Sequence, residues 1–478
     1  MRLFAQMGPR TAAYGMAMII GLSLSYDLLR MPIQRFDALP DLLEVQRSPG
    51  VYATFVGNLG GPGSTGGTTL LRPLKFAGIK ALFDLSDGHY RLAFRGFHAA
   101  LLLAAVLLFA RALAVRTWTD FAAASFALTV FTGTHTFEGT VREAFPINHT
   151  LEVVVFCMLA VNLVRARGGW LTDLAAAATF LAAVLTLESG VLVWVIVAAA
   201  WACGSSRISR RGVATVTGLL AAYLAVRFLV LSITVPGLGE RNSGFFLRML
   251  EGDELVRRFG DAPAWFYVYN IMASIMSVLF AEPQSGVFEF VHSWLTGDVP
   301  PRTYIAVVAS TCTTLLIIWV GAIHVFRRDT RAGDDSGLWF VTFGAVLIAN
   351  AAVSFAYTKD EIVAPAGAMY AGAAFAAARY VLHEERALHR RLSRVMVCLM
   401  LAAMAGLWAF QSAGVHHALR VQAFKHRNDW ARLTEDPSAA TADTPEAALI
   451  RRLRQDAINM HGPTPDLLGR WPDRWWGE

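Results

Sequence analysis

The sequence predicts an all-α polytopic membrane protein, on three observations. Of 478 residues 55% are hydrophobic and 16% charged, with a mean hydropathy of +0.45, outside the range of soluble globular chains. Stretches of about 18–22 apolar residues recur, the length that crosses a hydrocarbon core about 30 Å thick. Lysine and arginine gather in short connectors between those stretches: RARGG (165–169), SSRISRRG (205–212), FRRDTR (326–331) and HEERALHRRLSR (383–394). That bias marks the cytoplasmic side of a membrane. The net charge of +6 is therefore a matter of topology, and no nucleic-acid partner is expected.

The elements follow in order. MRLFAQMGPR and the apolar run after it lead into YDLLRMPIQRFD without a small-residue cleavage site, the pattern of an uncleaved signal anchor. The first span is expected at 11–29. Further spans are expected at 96–115, 119–134, 146–164, 170–187, 189–204, 212–235, 303–326, 338–356, 363–381 and 394–413. WFYVYNIMASIMSVLFAE (265–282) is also apolar, but counting it as a span would place FRRDTR and HEERALHRRLSR outside. It is better treated as a re-entrant or interfacial helix within one external region, 236–302. The result is about eleven spans, N-terminus inside and C-terminus outside. A transmembrane domain covers 1–414, with external loops 30–95 and 236–302, and a short external tail covers 415–478. The location expected for this multi-pass chain is the plasma (inner) membrane, among its lipids.

With that topology the polar residues collect on one face. His135, Glu138, Arg142 and Glu143 occupy the short gap TGTHTFEGTVREAF (132–145), and Glu188 occupies a tight LESG turn. YTKDE (357–361) is another external turn, and the long first loop holds Asp37 and Asp41. Ordinary explanations exist for each. An isolated Asp commonly caps a helix, and Arg142 beside Glu138 or Glu143 could form a surface ion pair worth about 0–1 kcal/mol. His98 and His149, at span openings, read as interfacial residues. Asp27 and Arg111 lie within or at the edges of spans, where ionisable groups default to a functional role. Asn148-His149-Thr150 matches a glycosylation sequon but abuts a span. The glycine run GNLGGPGSTGG has neither the Lys-Ser/Thr ending nor the preceding strand of a phosphate loop. Cys157, Cys203, Cys312 and Cys398 all fall in apolar segments, so neither a disulfide framework nor a metal site is expected. TPEAALIRRLRQDAI in the tail reads as a short amphipathic helix, an interfacial strap or a partner site.

A long external first loop with early acids, then RPL (Arg72, Pro73, Leu74), then GFH (Gly96, Phe97, His98) at the second span, resembles the C-type glycosyltransferase superfamily (GT-C). The branch it resembles is that of the protein O-mannosyltransferases and the transmembrane-tetratricopeptide mannosyltransferases. His135 and Glu138 match the His/Glu pair that opens the gap after the third helix in that branch. LTLESGVLV (185–193) is similar to its K-E-S segment, with Leu187 in place of the Lys. YTKDEIVAPAGAMY is similar to the start of a late helix, with Lys359 where Arg is usual. The doubled acid seen in many relatives is absent, since three residues separate Asp37 and Asp41, and the tail of about sixty residues is too short for a tetratricopeptide array.

The resemblance implies a GT-C-like bundle and transfer of a sugar from a polyprenyl-phosphate donor to a glycan, lipid or protein acceptor. An external site has no access to cytosolic nucleotide sugars, which favours a lipid-linked donor. Such chemistry calls for a carboxylate base, Asp41 or Asp37, with Asp41 slightly preferred because it follows Pro40 at an expected helix start. It also calls for cations on the departing phosphate, for which Arg72, Lys359 and Arg142 are the candidates. His135, Glu138 and Glu188 complete the expected substrate-binding set. No cofactor and no metal are expected. Two alternatives remain open: an inactive GT-C-fold subunit, and a transporter or flippase, the latter disfavoured by the lack of internal repeats.

Overall fold

A computed structural model describes residues 8–59, 71–143, 145–231, 238–240, 242–260, 263–281, 286–327, 336–356, 358–387, 391–432 and 444–460. The described chain is an all-α membrane-type bundle with one small hairpin, Ser243–Phe245 against Arg248–Leu250. Its first six helices are α1 (Pro9–Leu28), α2 (Ala38–Arg47), α3 (Val51–Gly57), α4 (Pro73–Leu85), α5 (Tyr90–Ala112) and α6 (Trp118–Gly133). Next come α7 (His135–Arg142), α8 (His149–Val164), α9 (Trp170–Thr186), α10 (Leu192–Ala202) and α11 (Arg210–Ala225). The second half contains α12 (Gly252–Phe259), α13 (Ala264–Phe280), α14 (Glu289–Thr296), α15 (Pro301–Arg327) and α16 (Ser336–Val353). It ends with α17 (Ala364–Ala387), α18 (Arg391–Ala431) and α19 (Pro445–Ile458).

Each expected span falls on a helix. By length and composition, five helical stretches among the described residues suffice to cross a membrane: Tyr90–Ala112, Arg210–Val230, Pro301–His324, Glu361–His383 and Val395–Ala431. Five shorter apolar helices accompany them, among them His149–Val164 and Ala264–Phe280. At the centre runs α17, whose alanine-rich sequence lets α6, α15, α16 and α18 pack against it. Local chemistry sets the boundaries. Thr117 and Asp120 form a reciprocal capping box at the start of α6. Thr134, extended at ψ 142, ends α6 and caps α7 by accepting from the Phe137 N–H.

Two regions depart from expectation. The first loop is largely helical, carrying α2, α3 and α4, while much of its glycine run lies outside the described residues. Helix α2 starts at Ala38, so Asp37 holds the N-cap position and Asp41 the first turn. The residues expected as a separate tail begin as a continuation of α18, which runs to Ala431. Val415, Leu419, Ala423 and Trp430 stay on a buried face, and no proline interrupts the helix. The expected amphipathic helix is α19, with Ala447, Leu449, Leu453 and Ala457 buried.

Helix α19 closes a second hydrophobic core, distinct from the bundle, that includes Ala38, Leu42 and Val45 of α2 with Ile79, Phe94 and Trp430. The Trp430 indole N–H donates to the Ile33 carbonyl at 2.7 Å, and Arg35 donates to the Asp429 carbonyl at 3.1 Å. First loop and tail are therefore one packed unit at one end of the bundle. Both ends of α13 lie near that end too: Tyr267 packs on Phe355 at 4.9 Å, and Ser277 contacts His135 at 2.6 Å.

Candidate functional site

Two cavities share a wall at this end of the bundle. The larger, about 570 Å³, is lined by Asp37, Asp41, Arg72, Glu188 and Lys359, five of the expected site residues. The smaller, about 340 Å³, is lined by His135, Glu138 and Arg142, the other three. Adjacent residues of the 358–361 turn divide between them: Lys359 and Glu361 face the larger, Asp360 the smaller. Helix α7 comes close to this turn because residue 139 is glycine; a Cβ there would stand 3.1 Å from the Asp360 Cβ.

In the larger cavity Glu188 organises the cations. Arg72, the residue before α4, reaches one Glu188 oxygen through Nε at 2.9 Å and a terminal nitrogen at 2.7 Å. Arg227 reaches the other at 3.1 Å and also donates to the Tyr223 hydroxyl at 3.2 Å. Arg227 lies on a π-turn, Val226–Val230, that continues α11. Glu188 is held in place by a backbone that admits only glycine two residues on, where a Cβ would meet the Ala183 carbonyl carbon at 2.2 Å. A guanidinium has five N–H donors, so both arginines keep donors free for an anion.

The two acids are not equivalent. Asp41 is ion-paired with Lys75 at 3.0 Å, whereas among the described residues Asp37 accepts only from the neutral Gln34 amide at 2.7 Å. A neighbouring ammonium occupies Asp41, and Asp37 is the freer carboxylate. Close to Asp37 lies Glu143, whose carboxyl is pushed up to about 7, first by burial and then by the Glu361 carboxylate, with Lys359 and Arg142 acting in the opposite sense. One flank of the cavity is apolar. Leu224 and Phe228 line it, and Leu229 and Val230 next to them are 80% and 72% exposed.

In the smaller cavity Glu138 pairs with Arg302 of α15, not with Arg142 as a surface pair would require. Glutamine Gln411 accepts from Arg302 at 3.3 Å and donates to its carbonyl at 3.0 Å. Burial, helped by the Arg302 charge, holds His135 down to about 4. The ring is therefore neutral at physiological pH, and its 3.7 Å approach to Asp360 is not an ion pair.

Behind both cavities a buried network fixes the α7–α8 connection. His98 is not interfacial but 1% exposed, flanked by Arg95 at 3.2 Å and Asn148 at 3.0 Å. Arg95 donates to the Phe145 carbonyl, and Asn148 donates to the Thr140 carbonyl while capping α8. A buried capping Asn148 is no glycan acceptor. Asp27 is likewise tied down, by His416 at 2.6 Å and Arg420 at 3.2 Å.

Lys75, Arg227, Arg302 and Glu143 belong to these cavities or their wall but were not in the expected site set. Lys75 had a signal, three residues after Arg72 and so on the same helix face. Arg227 had a stronger one: a lone arginine in the apolar run LLAAYLAVRFLV. No family model, curated protein or solved structure matches this chain.

Proposed function

We propose that this protein is an integral-membrane glycosyltransferase of the GT-C kind, which moves a sugar from a polyprenyl-phosphate donor to an acceptor hydroxyl. The observation that carries this reading is the larger cavity. It joins a carboxylate wall, two arginines held by one glutamate, and an apolar flank on α11 where a polyprenyl chain can lie beside the bundle. A transporter has no need of that pairing of base and phosphate-binding donors.

In the proposed reaction the acceptor oxygen attacks the anomeric carbon as its proton passes to Asp37. The bond between that carbon and the phosphate oxygen breaks, and polyprenyl phosphate departs. Arg72 and Arg227 meet the charge that grows on the leaving phosphate. Lys359, ion-paired with Glu361 at 3.4 Å, adds a third cation, and Lys75 pairs with Asp41 beside the base. The site faces outward from the plasma membrane of a chain with eleven spans. The shared core of first loop and tail supports this count, because it places both on one face and so requires an even number of crossings between them.

The test is a purified, reconstituted protein offered polyprenyl-phosphate mannose, glucose and arabinose in turn. Protein-dependent release of free polyprenyl phosphate from at least one donor is the expected result. Passage of intact donor across the bilayer without its consumption would replace the transferase by a flippase.

A further inference from the structure

We infer that the smaller cavity is a binding site for an anionic group, a carboxylate or phosphate, held by Arg142 and Lys425. Every carboxylate in this cavity already has a partner. Glu138 is taken by Arg302, and Asp360 and Glu289 have partners of their own. Burial also pushes the Glu289 carboxyl up. His135 is neutral at physiological pH. Arg142 and Lys425, by contrast, make no hydrogen bond or ion pair among the described residues, although both line the cavity. The charged side chains of this lining that lack a partner among the described residues are both cations.

The recognition chemistry is specific. A half-buried guanidinium on α7 offers a planar fork for two oxygens, and an exposed ammonium on α18 adds a point charge. At about 340 Å³ the cavity matches a single small-molecule moiety, near the lower end of the roughly 300–1,000 Å³ seen for ligand pockets. It shares the 358–361 turn with the larger cavity. Calling its ligand the acceptor rests on the transferase reading; the binding itself does not. The acceptor class is then an acidic sugar or phosphorylated glycan, or an anionic lipid headgroup, with its hydroxyl directed past the shared wall.

The test uses the full-length protein in phosphatidylcholine nanodiscs, titrated with glucuronate, glucose 6-phosphate and neutral glucose, with binding read by calorimetry. Saturable binding of the two anions and none of glucose is expected. The Arg142→Gln/Lys425→Gln double variant should weaken it about tenfold or more, and Arg257→Gln, an exposed cation outside both cavities, should leave it unchanged. If only phosphatidylglycerol nanodiscs raise the unfolding temperature, and Lys425→Gln abolishes the rise, the anion is a lipid headgroup and the site stands. Equal binding of glucose, loss in Arg257→Gln but not in the double variant, or no response to any anion in either lipid would overturn the inference. Should the double variant not fold, the exposed single change Lys425→Gln carries the same comparison. Anion binding by a protein that consumes no donor would sink the transferase reading and leave this site intact.

Discussion

At the scale of single residues, the site turns on which charges are already satisfied. Asp41 faces an ammonium at 3.0 Å, and Asp37 accepts from an amide. Asp41→Asn should therefore lower turnover less than Asp37→Asn. Glu143 gives a prediction with a defined sign. Its carboxyl stands at about 7 in the folded protein against an ordinary 4.5, so the folded state keeps a proton that the unfolded chain has released across that interval. Stability falls as pH rises from about 4.5 to 7, and the full cost is present above the upper value. Unfolding temperature followed across that range should decline less steeply in Glu143→Gln than in the wild type; an unchanged slope would mean that Glu143 is not the group responsible. Sequence reasoning found the eight expected residues at one end of the bundle because polar side chains are scarce in so apolar a chain. It could not divide them between two cavities, since that division depends on which way α7 and the 358–361 turn face.

At the scale of elements, the apolar periodicity made the helices of the bundle legible to within a few residues at most ends. Length matched hydrophobic run, and caps such as Thr117 confirmed the starts. The first loop was not legible, because α2, α3 and α4 are short and owe their helicity to the core they share with α19. That dependence makes a prediction. Leu449→Ala removes a side chain 3% exposed in this core and should cost about 2–5 kcal/mol locally. Amide exchange should then quicken in 38–47, the segment that carries Asp41 and follows Asp37, while α6 and α17 keep their protection. Quickened exchange throughout the bundle would show instead that the second core is not a separate unit.

At the scale of the whole molecule, the account requires that the first loop and the tail share one face and that the Arg-rich connectors lie on the other. Single cysteines in a background lacking Cys157, Cys203, Cys312 and Cys398 report this directly. A membrane-impermeant maleimide added outside should label a cysteine at Tyr52, which is 80% exposed, and should not label one at Arg210 until the membrane is permeabilised. The central claim is that the larger cavity binds a lipid-linked sugar and that Asp37 acts on it there. The most direct measurement sets donor affinity beside turnover in the same preparation of Asp37→Asn, for whichever polyprenyl-phosphate sugar the wild type consumes. The account predicts turnover lowered by about 10²–10⁴-fold, the worth of a general base, with donor affinity within about twofold of wild type. Wild-type turnover in Asp37→Asn would contradict it.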